Sequence, residues 1–156
     1  MKCIFFVMLA FCMFSAIAFA GVGITEVRNI FPEAIKIAEE EGLNGSWQVF
    51  GEANKVIGYV YASEKFASDV KGYAGVIPLL IGISADDTVK GICVLENKET
   101  PIFFKRVEKS QLLNKWNGMK CSDAENLQID AVSRATISST AIIKSVRKTL
   151  AGLKEK

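Results

Sequence analysis

The 156-residue chain contains no histidine. That absence removes Ser-His-Asp and Cys-His nucleophilic catalysis, His-Glu-x-x-His zinc sites and histidine-ligated haem in one step. Cysteine is also scarce: of four, Cys3 and Cys12 lie in an apolar leader, leaving Cys93 and Cys121. Two cysteines cannot complete a four-thiolate zinc or iron-sulfur site within one chain, and Cys-x-x-Cys-His for covalent haem is missing. No metal site is therefore expected. An oxidising compartment would permit a Cys93-Cys121 disulfide, but Cys93 sits in a strand-like apolar run and reads more simply as a small core residue. The formal charge is only +2, with both signs mixed along the chain and no block of either. This is the pattern of a solvated surface rather than a nucleic-acid footprint. Any redox role would need an organic cofactor.

Residues 1–20 differ in kind from the rest. Lys2 precedes an apolar run that ends in Ala18-Phe19-Ala20 before Gly21, the layout of a secretory signal with a small-x-small cleavage site. No charge occurs from Cys3 until Glu26, so an uncleaved anchor is the alternative. Residues 21–156 are of single-domain size, and the expected location is extracytoplasmic, periplasmic or cell-surface.

Periodicity along the domain predicts an α+β fold, an antiparallel sheet with flanking helices. Val27, Ile30, Phe31, Ala34, Ile35 and Ala38 recur at helical spacing, with Pro32 marking either a break near Phe31 or the first turn of a fresh helix. Alternation at Trp47, Val49 and then Ile57, Tyr59, Tyr61 predicts two strands and a turn. Two apolar runs, Val76 to Ile83 and Val89 to Leu95, flank Asp86-Asp87 as a central hairpin. Adjacent turn carboxylates point apart into water, so these aspartates are no catalytic pair. Phe103 to Met119 reads as one or two short amphipathic helices, with Phe103, Phe104 and Trp116 as packing residues. The chain then runs through Ser122 to Asn126 into Leu127-Gln128-Ile129, a short strand or extended segment, and Ala141 to Leu153 closes the chain as a helix with Ile142, Ile143, Val146, Leu150 and Leu153 on one face.

The candidate site is the polar stretch Asp130 to Thr140, Asp-Ala-Val-Ser-Arg-Ala-Thr-Ile-Ser-Ser-Thr. Hydroxyl side chains cap helices, because their oxygens accept bonds from the first unpaired backbone N–H groups. Those groups and the helix dipole also favour anions, phosphate included. Ser133, Thr136, Ser138, Ser139 and Thr140 supply more hydroxyls than one cap needs.

Asp130-Ala131-Val132-Ser133-Arg134-Ala135-Thr136 resembles the flavinylation motif of the FMN-binding domain family, Asp-x-x-(Ser/Thr)-Gly-Ala-Thr. That family includes the periplasmic G subunit of the Rnf electron-transport complex and the C subunit of the sodium-pumping NADH:quinone reductase. The resemblance runs from about Lys71 to Leu150, through Gly72-Tyr73-Ala74-Gly75 and Glu99-Thr100-Pro101. It implies FMN joined by a phosphoester to Thr136, installed by a flavin transferase. It also implies cofactor contacts from Asp130, Ser133, Arg134, Ala135, Ile137, Ser138, Ser139, Glu99 and Thr100. Two departures stand out. Arg134 replaces the usual glycine, which permits a positive φ or a close backbone approach that arginine tolerates poorly. Ile102-Phe103-Phe104 replaces a Gly-Leu-Gly after Pro101.

The function this resemblance implies is an exported electron carrier serving a membrane electron-transfer complex or an extracytoplasmic reductase. The alternative is an exported binding or structural domain of the same fold without covalent flavin. An independent enzyme finds no support in a chain without histidine or paired acids.

Overall fold

The computed structural model describes residues 22–43 and 45–154; the leader expected over residues 1–20 lies outside them. The chain enters through a short helix, α1 (Ile24–Arg28), and then builds strands β1 (Lys36–Glu39), β2 (Ser46–Phe50) and β3 (Val56–Ala62). After the single turn α2 (Glu64–Ala67) come β4 (Leu79–Ser84) and β5 (Val89–Val94). The remainder is helical: α3 (Pro101–Lys109), a 3₁₀ segment over Leu112–Trp116, α4 (Cys121–Asn126) and α5 (Thr136–Lys154). The five strands lie in sequence order and every neighbouring pair is antiparallel. The expected α+β architecture is present, and among the described residues no helix is long and apolar enough to cross a membrane.

The sheet separates two apolar clusters, and β4 shows how. Leu79, Ile81 and Ile83 belong to the cluster that holds the C-terminal helices, whereas Leu80 joins the cluster of Val27, Ile30 and Phe31 on the other face. A period of two puts successive side chains on opposite faces, so one strand, buried from Leu79 to Ile83, serves both cores. On the α1 side the sheet surface is kept bare by glycine. A Cβ at Gly82 would meet Ile30 Cγ2 at 2.3 Å and Phe31 Cε2 at 2.9 Å, so the two side chains seat directly on the backbone.

On the other face α5 lies with Ile142, Val146 and Leu150 buried. Burial of each such side chain stabilises by about 1.5–3 kcal/mol. Trp116 is fully buried in the same cluster. Cys93 and Cys121 are both free thiols, and burial pushes the Cys121 thiol up to about 12. Asp86 is an exposed turn residue that accepts hydrogen bonds from Ser84, Thr88 and Lys120, as expected of a turn rather than a carboxylate pair.

Two local expectations need correction. The helical spacing of Ala34, Ile35 and Ala38 continues no helix, because Lys36–Glu39 is an edge strand paired with β2. The chain breaks near Phe31, one of the two outcomes Pro32 allowed, and Ile35 is exposed rather than part of an apolar face. The second is the stretch before the site. Cys121–Asn126 forms a helix that puts Cys121 and Ala124 into the core, and only the residues after it are extended.

Candidate functional site

Three chain segments meet at one recess of about 380 Å³, which lies in the size range of organic-ligand sites. The Gly72–Gly75 loop brings Tyr73; the approach to α3 brings Glu99, Thr100 and Phe103; the start of α5 brings Arg134 to Ser138.

Glu99 joins these walls. It is 7% exposed, and one carboxylate oxygen accepts the Ala74 backbone N–H at 2.7 Å while the other accepts the Ser138 hydroxyl. Local sequence explains how it gets there. Pro101 starts α3, where its missing N–H costs nothing, and holds Thr100 in an extended conformation. The Thr100 carbonyl then accepts the N–H groups of Phe103 and Phe104, both at 3.0 Å, and so anchors the first turn of α3. Opposite, the Gly72 N–H closes a tight loop on the Gly75 carbonyl at 2.7 Å. A Cβ at Gly72 would stand 2.8 Å from a Glu99 oxygen, so only glycine lets the carboxylate come this near.

The α5 side is set by Ser139. Its buried hydroxyl accepts the Val132 N–H and donates to the Ala135 carbonyl, each at 2.9 Å, folding the loop against the first helical turn. Ala135 N–H also reaches the Val132 carbonyl at 3.0 Å. Between them Arg134 takes φ +62°, the left-handed conformation that glycine adopts without strain. Thr136 begins the helix and is exposed, as are Arg134 and Ile137. Backbone N–H groups in a first turn have no intrahelical acceptor, so this end of the 19-residue α5 favours negative charge.

Thr136 and Ile137 form a ridge between this recess and a second one, lined on its far side by Lys71, Lys144 and Lys148. Lys148 pairs with Asp69 at 2.5 Å. Among the described residues Arg134, Lys71 and Lys144 stand in no ion pair. An anion at Thr136 would be met by positive charge from both sides.

The expected site residues divide cleanly. Glu99, Thr100, Arg134, Ala135, Thr136, Ile137 and Ser138 line the recess together. Asp130 does not: it is exposed and borders a separate depression with Leu112 and Lys115. Ser133 is exposed and absent from the lining. Ser139 is fully buried, absent from the lining, and ties the loop to the helix. Phe104 and Trp116 are core residues as expected, but Phe103 is 48% exposed and forms part of the recess wall, as does Tyr73. The signal for Phe103 was available in the helix period: Phe104 and Val107, three apart, take the buried face of α3 and leave Phe103 off it. Among the described residues no three metal-ligating side chains converge.

The walls suit FMN on their own evidence. Tyr73 and Phe103 offer aromatic surface for a planar ring, while a helix start with adjacent cations suits a phosphate. Comparison with known proteins agrees. The FMN-binding domain pattern matches residues 72–151, which include every wall of the recess. The chain is similar to the G subunit of the proton-translocating ferredoxin:NAD(+) oxidoreductase complex of Clostridium ljungdahlii, 29% identical over 65% of this chain and 56% of the relative. It is similar also to the G subunit of an ion-translocating oxidoreductase complex of Methanosarcina acetivorans, 30% identical over 77% of this chain and 69% of the relative. With the corresponding protein of Pseudomonas aeruginosa it is 30% identical over 54% of this chain and 44% of that one. The chain thus spans roughly half to two-thirds of the length of these curated relatives. The match over residues 72–151, together with the similarity to the Methanosarcina acetivorans protein, shows that the chain belongs to the FMN-binding domain family.

Proposed function

We propose that this protein is an exported flavoprotein that carries FMN through a phosphoester on Thr136 and passes electrons to or from a membrane redox complex or a partner reductase. The observation that carries the reading is the position of Thr136. It stands exposed at the open start of α5, on the ridge between an aromatic-walled recess and a lysine-lined one. Bound FMN supplies one- and two-electron transfer.

The residues divide the work of holding it. Tyr73 and Phe103 cover the ring and keep water from it. The first-turn N–H groups of α5, with Arg134 beside them, hold the remaining negative charge of the phosphodiester. Maturation requires a flavin transferase as partner. Export rests on the leader pattern of residues 1–20, and covalent attachment suits an exported domain, which cannot easily recapture a lost cofactor. The redox-complex role draws support from the relatives, which are named as subunits of ion-translocating oxidoreductase complexes.

Intact mass after coexpression with a flavin transferase and export tests leader removal and flavin attachment together. The expected product begins at Gly21 and stays yellow after acid precipitation. Thr136→Ala should lose the flavin and keep the fold, since loss of an exposed hydroxyl at a helix start costs about 0.5–2 kcal/mol. An alanine variant that still held FMN through acid would show that another hydroxyl is the acceptor.

A further inference from the structure

We propose that Glu99 sets the reduction potential of the bound flavin, as a positioning and electrostatic residue built into the recess wall. The inference rests on the recess being the FMN site. Glu99 is more than nine-tenths buried, lines the recess and accepts a hydrogen bond at each carboxylate oxygen. Both donors come from other walls of the same recess, the Ala74 N–H from the Gly72–Gly75 loop and the Ser138 hydroxyl from the first turn of α5. Acceptance at both oxygens is how an ionised carboxylate is held, and neither donor brings a compensating full charge. No ion pair of Glu99 exists among the described residues.

A negative charge on a side chain as buried as Glu99 acts on its neighbours more strongly than a surface charge does. Adding electrons to the flavin ring beside it is opposed, so the oxidised form is held in preference to the reduced one. Of the nearby cations only Arg134 lines the same recess, and it is exposed, so water and salt screen its charge more than that of buried Glu99; Lys71 and Lys144 lie across the Thr136–Ile137 ridge. Protein charge near the reactive part of a cofactor is a recognised means of tuning its electronics.

Glu99→Gln is the test, because glutamine keeps the volume, can still accept the Ala74 N–H and can meet the Ser138 hydroxyl with its amide. The midpoint potential of the flavin is read by anaerobic titration with a reference dye. At the wild-type midpoint the variant should stand at least tenfold toward the reduced form, about 30 mV upward for a two-electron couple. Ser138→Ala, which breaks one tie but leaves the charge, should not move the potential upward. An unchanged potential in Glu99→Gln, or an equal rise in Ser138→Ala, would reduce Glu99 to a strut and overturn the proposal. If Glu99→Gln does not fold, the wild-type protein still decides, since its flavin should titrate below free FMN; a value at or above free FMN overturns the proposal as well. Failure of covalent attachment would remove the Thr136 assignment alone, and the potential would then be read on reversibly bound FMN.

Discussion

Arg147, midway along α5, reaches back to the Leu127 carbonyl with one guanidinium nitrogen 2.6 Å from the oxygen. Its partner begins the extended segment that leads to Arg134 and Thr136, so the long helix holds the approach to its own N-terminus. Leu127 also follows α4, whose last N–H contact is the Leu127 N–H to the Ala124 carbonyl. Hydrogen bonds from a charged donor contribute about 1.5–3 kcal/mol. Arg147→Met should lose about that much stability in urea titrations, raise amide exchange over residues 127–135 and lower flavin occupancy. Protection of the loop equal to wild type would show that Ser139 alone is enough to hold it.

Arg134 carries a backbone cost that glycine would not. A non-glycine residue in the left-handed region costs about 1–3 kcal/mol, whereas glycine loses about 0.5–1 kcal/mol in chain entropy. Arg134→Gly is therefore expected to gain between about 0 and 2.5 kcal/mol in denaturant titrations and to keep its flavin. Arg134→Glu has the same backbone but puts like charge beside the phosphate, so flavin occupancy by intact mass should fall. Full occupancy in the Glu variant would make the guanidinium a bystander.

Gly58 tests the opposite face of the sheet. A Cβ there would meet the Ile83 carbonyl oxygen at 2.5 Å and Phe31 Cζ at 2.6 Å. The carbonyl belongs to the paired strand and cannot retreat without disturbing the ladder. Overpacking of this kind costs about 1–3 kcal/mol. Gly58→Ala should lower the urea midpoint by that amount while the folded fraction still takes up flavin, because the substitution lies away from the recess.

Acid should expose the β4–β5 turn. Hydrogen bonds from Ser84 and Thr88, then from Lys120, hold the Asp86 carboxyl well below its ordinary 3.8. A group whose folded pKa is depressed contributes stability that is present above its unfolded pKa and lost as pH falls toward the folded one. The stability advantage of wild type over Asp86→Asn should thus be constant above about pH 5 and shrink progressively below pH 4. A gap that persists unchanged to pH 2 would mean that the turn owes nothing to ionised Asp86.

Much of this architecture is legible in short stretches of sequence. The paired apolar runs on either side of Asp86-Asp87 predict the β4–β5 hairpin, because alternation and turn chemistry are local properties. The hydroxyl-rich approach to α5 is legible for the same reason, while the backbone demand at position 134 is legible only through the glycine that the family motif has there. Lys36–Glu39 misleads because Ala34, Ile35 and Ala38 satisfy a helical period by coincidence, and the pairing with β2 that decides the matter is not local. Cys121–Asn126 is too short to show any period. The recess depends on meetings between distant segments: Ser138 and Glu99 are 39 positions apart, Ala74 and Glu99 25. No window of sequence contains them, and so Glu99 reads equally well as a turn residue ahead of a proline.

The strand order has a kinetic consequence. Each strand pairs with its neighbour in sequence, so the sheet can grow by successive short closures, the kind of topology that folds quickly. The Glu99–Ser138 contact closes a much longer loop, and it cannot form until both α3 and α5 have settled on the completed sheet. The recess should then be among the last parts of the molecule to assemble, and pulse-labelled exchange during refolding should show the Ala74 N–H protected after the strand amides. A modifying enzyme that recognises the finished recess would, by that order of events, act only on chains that have already folded.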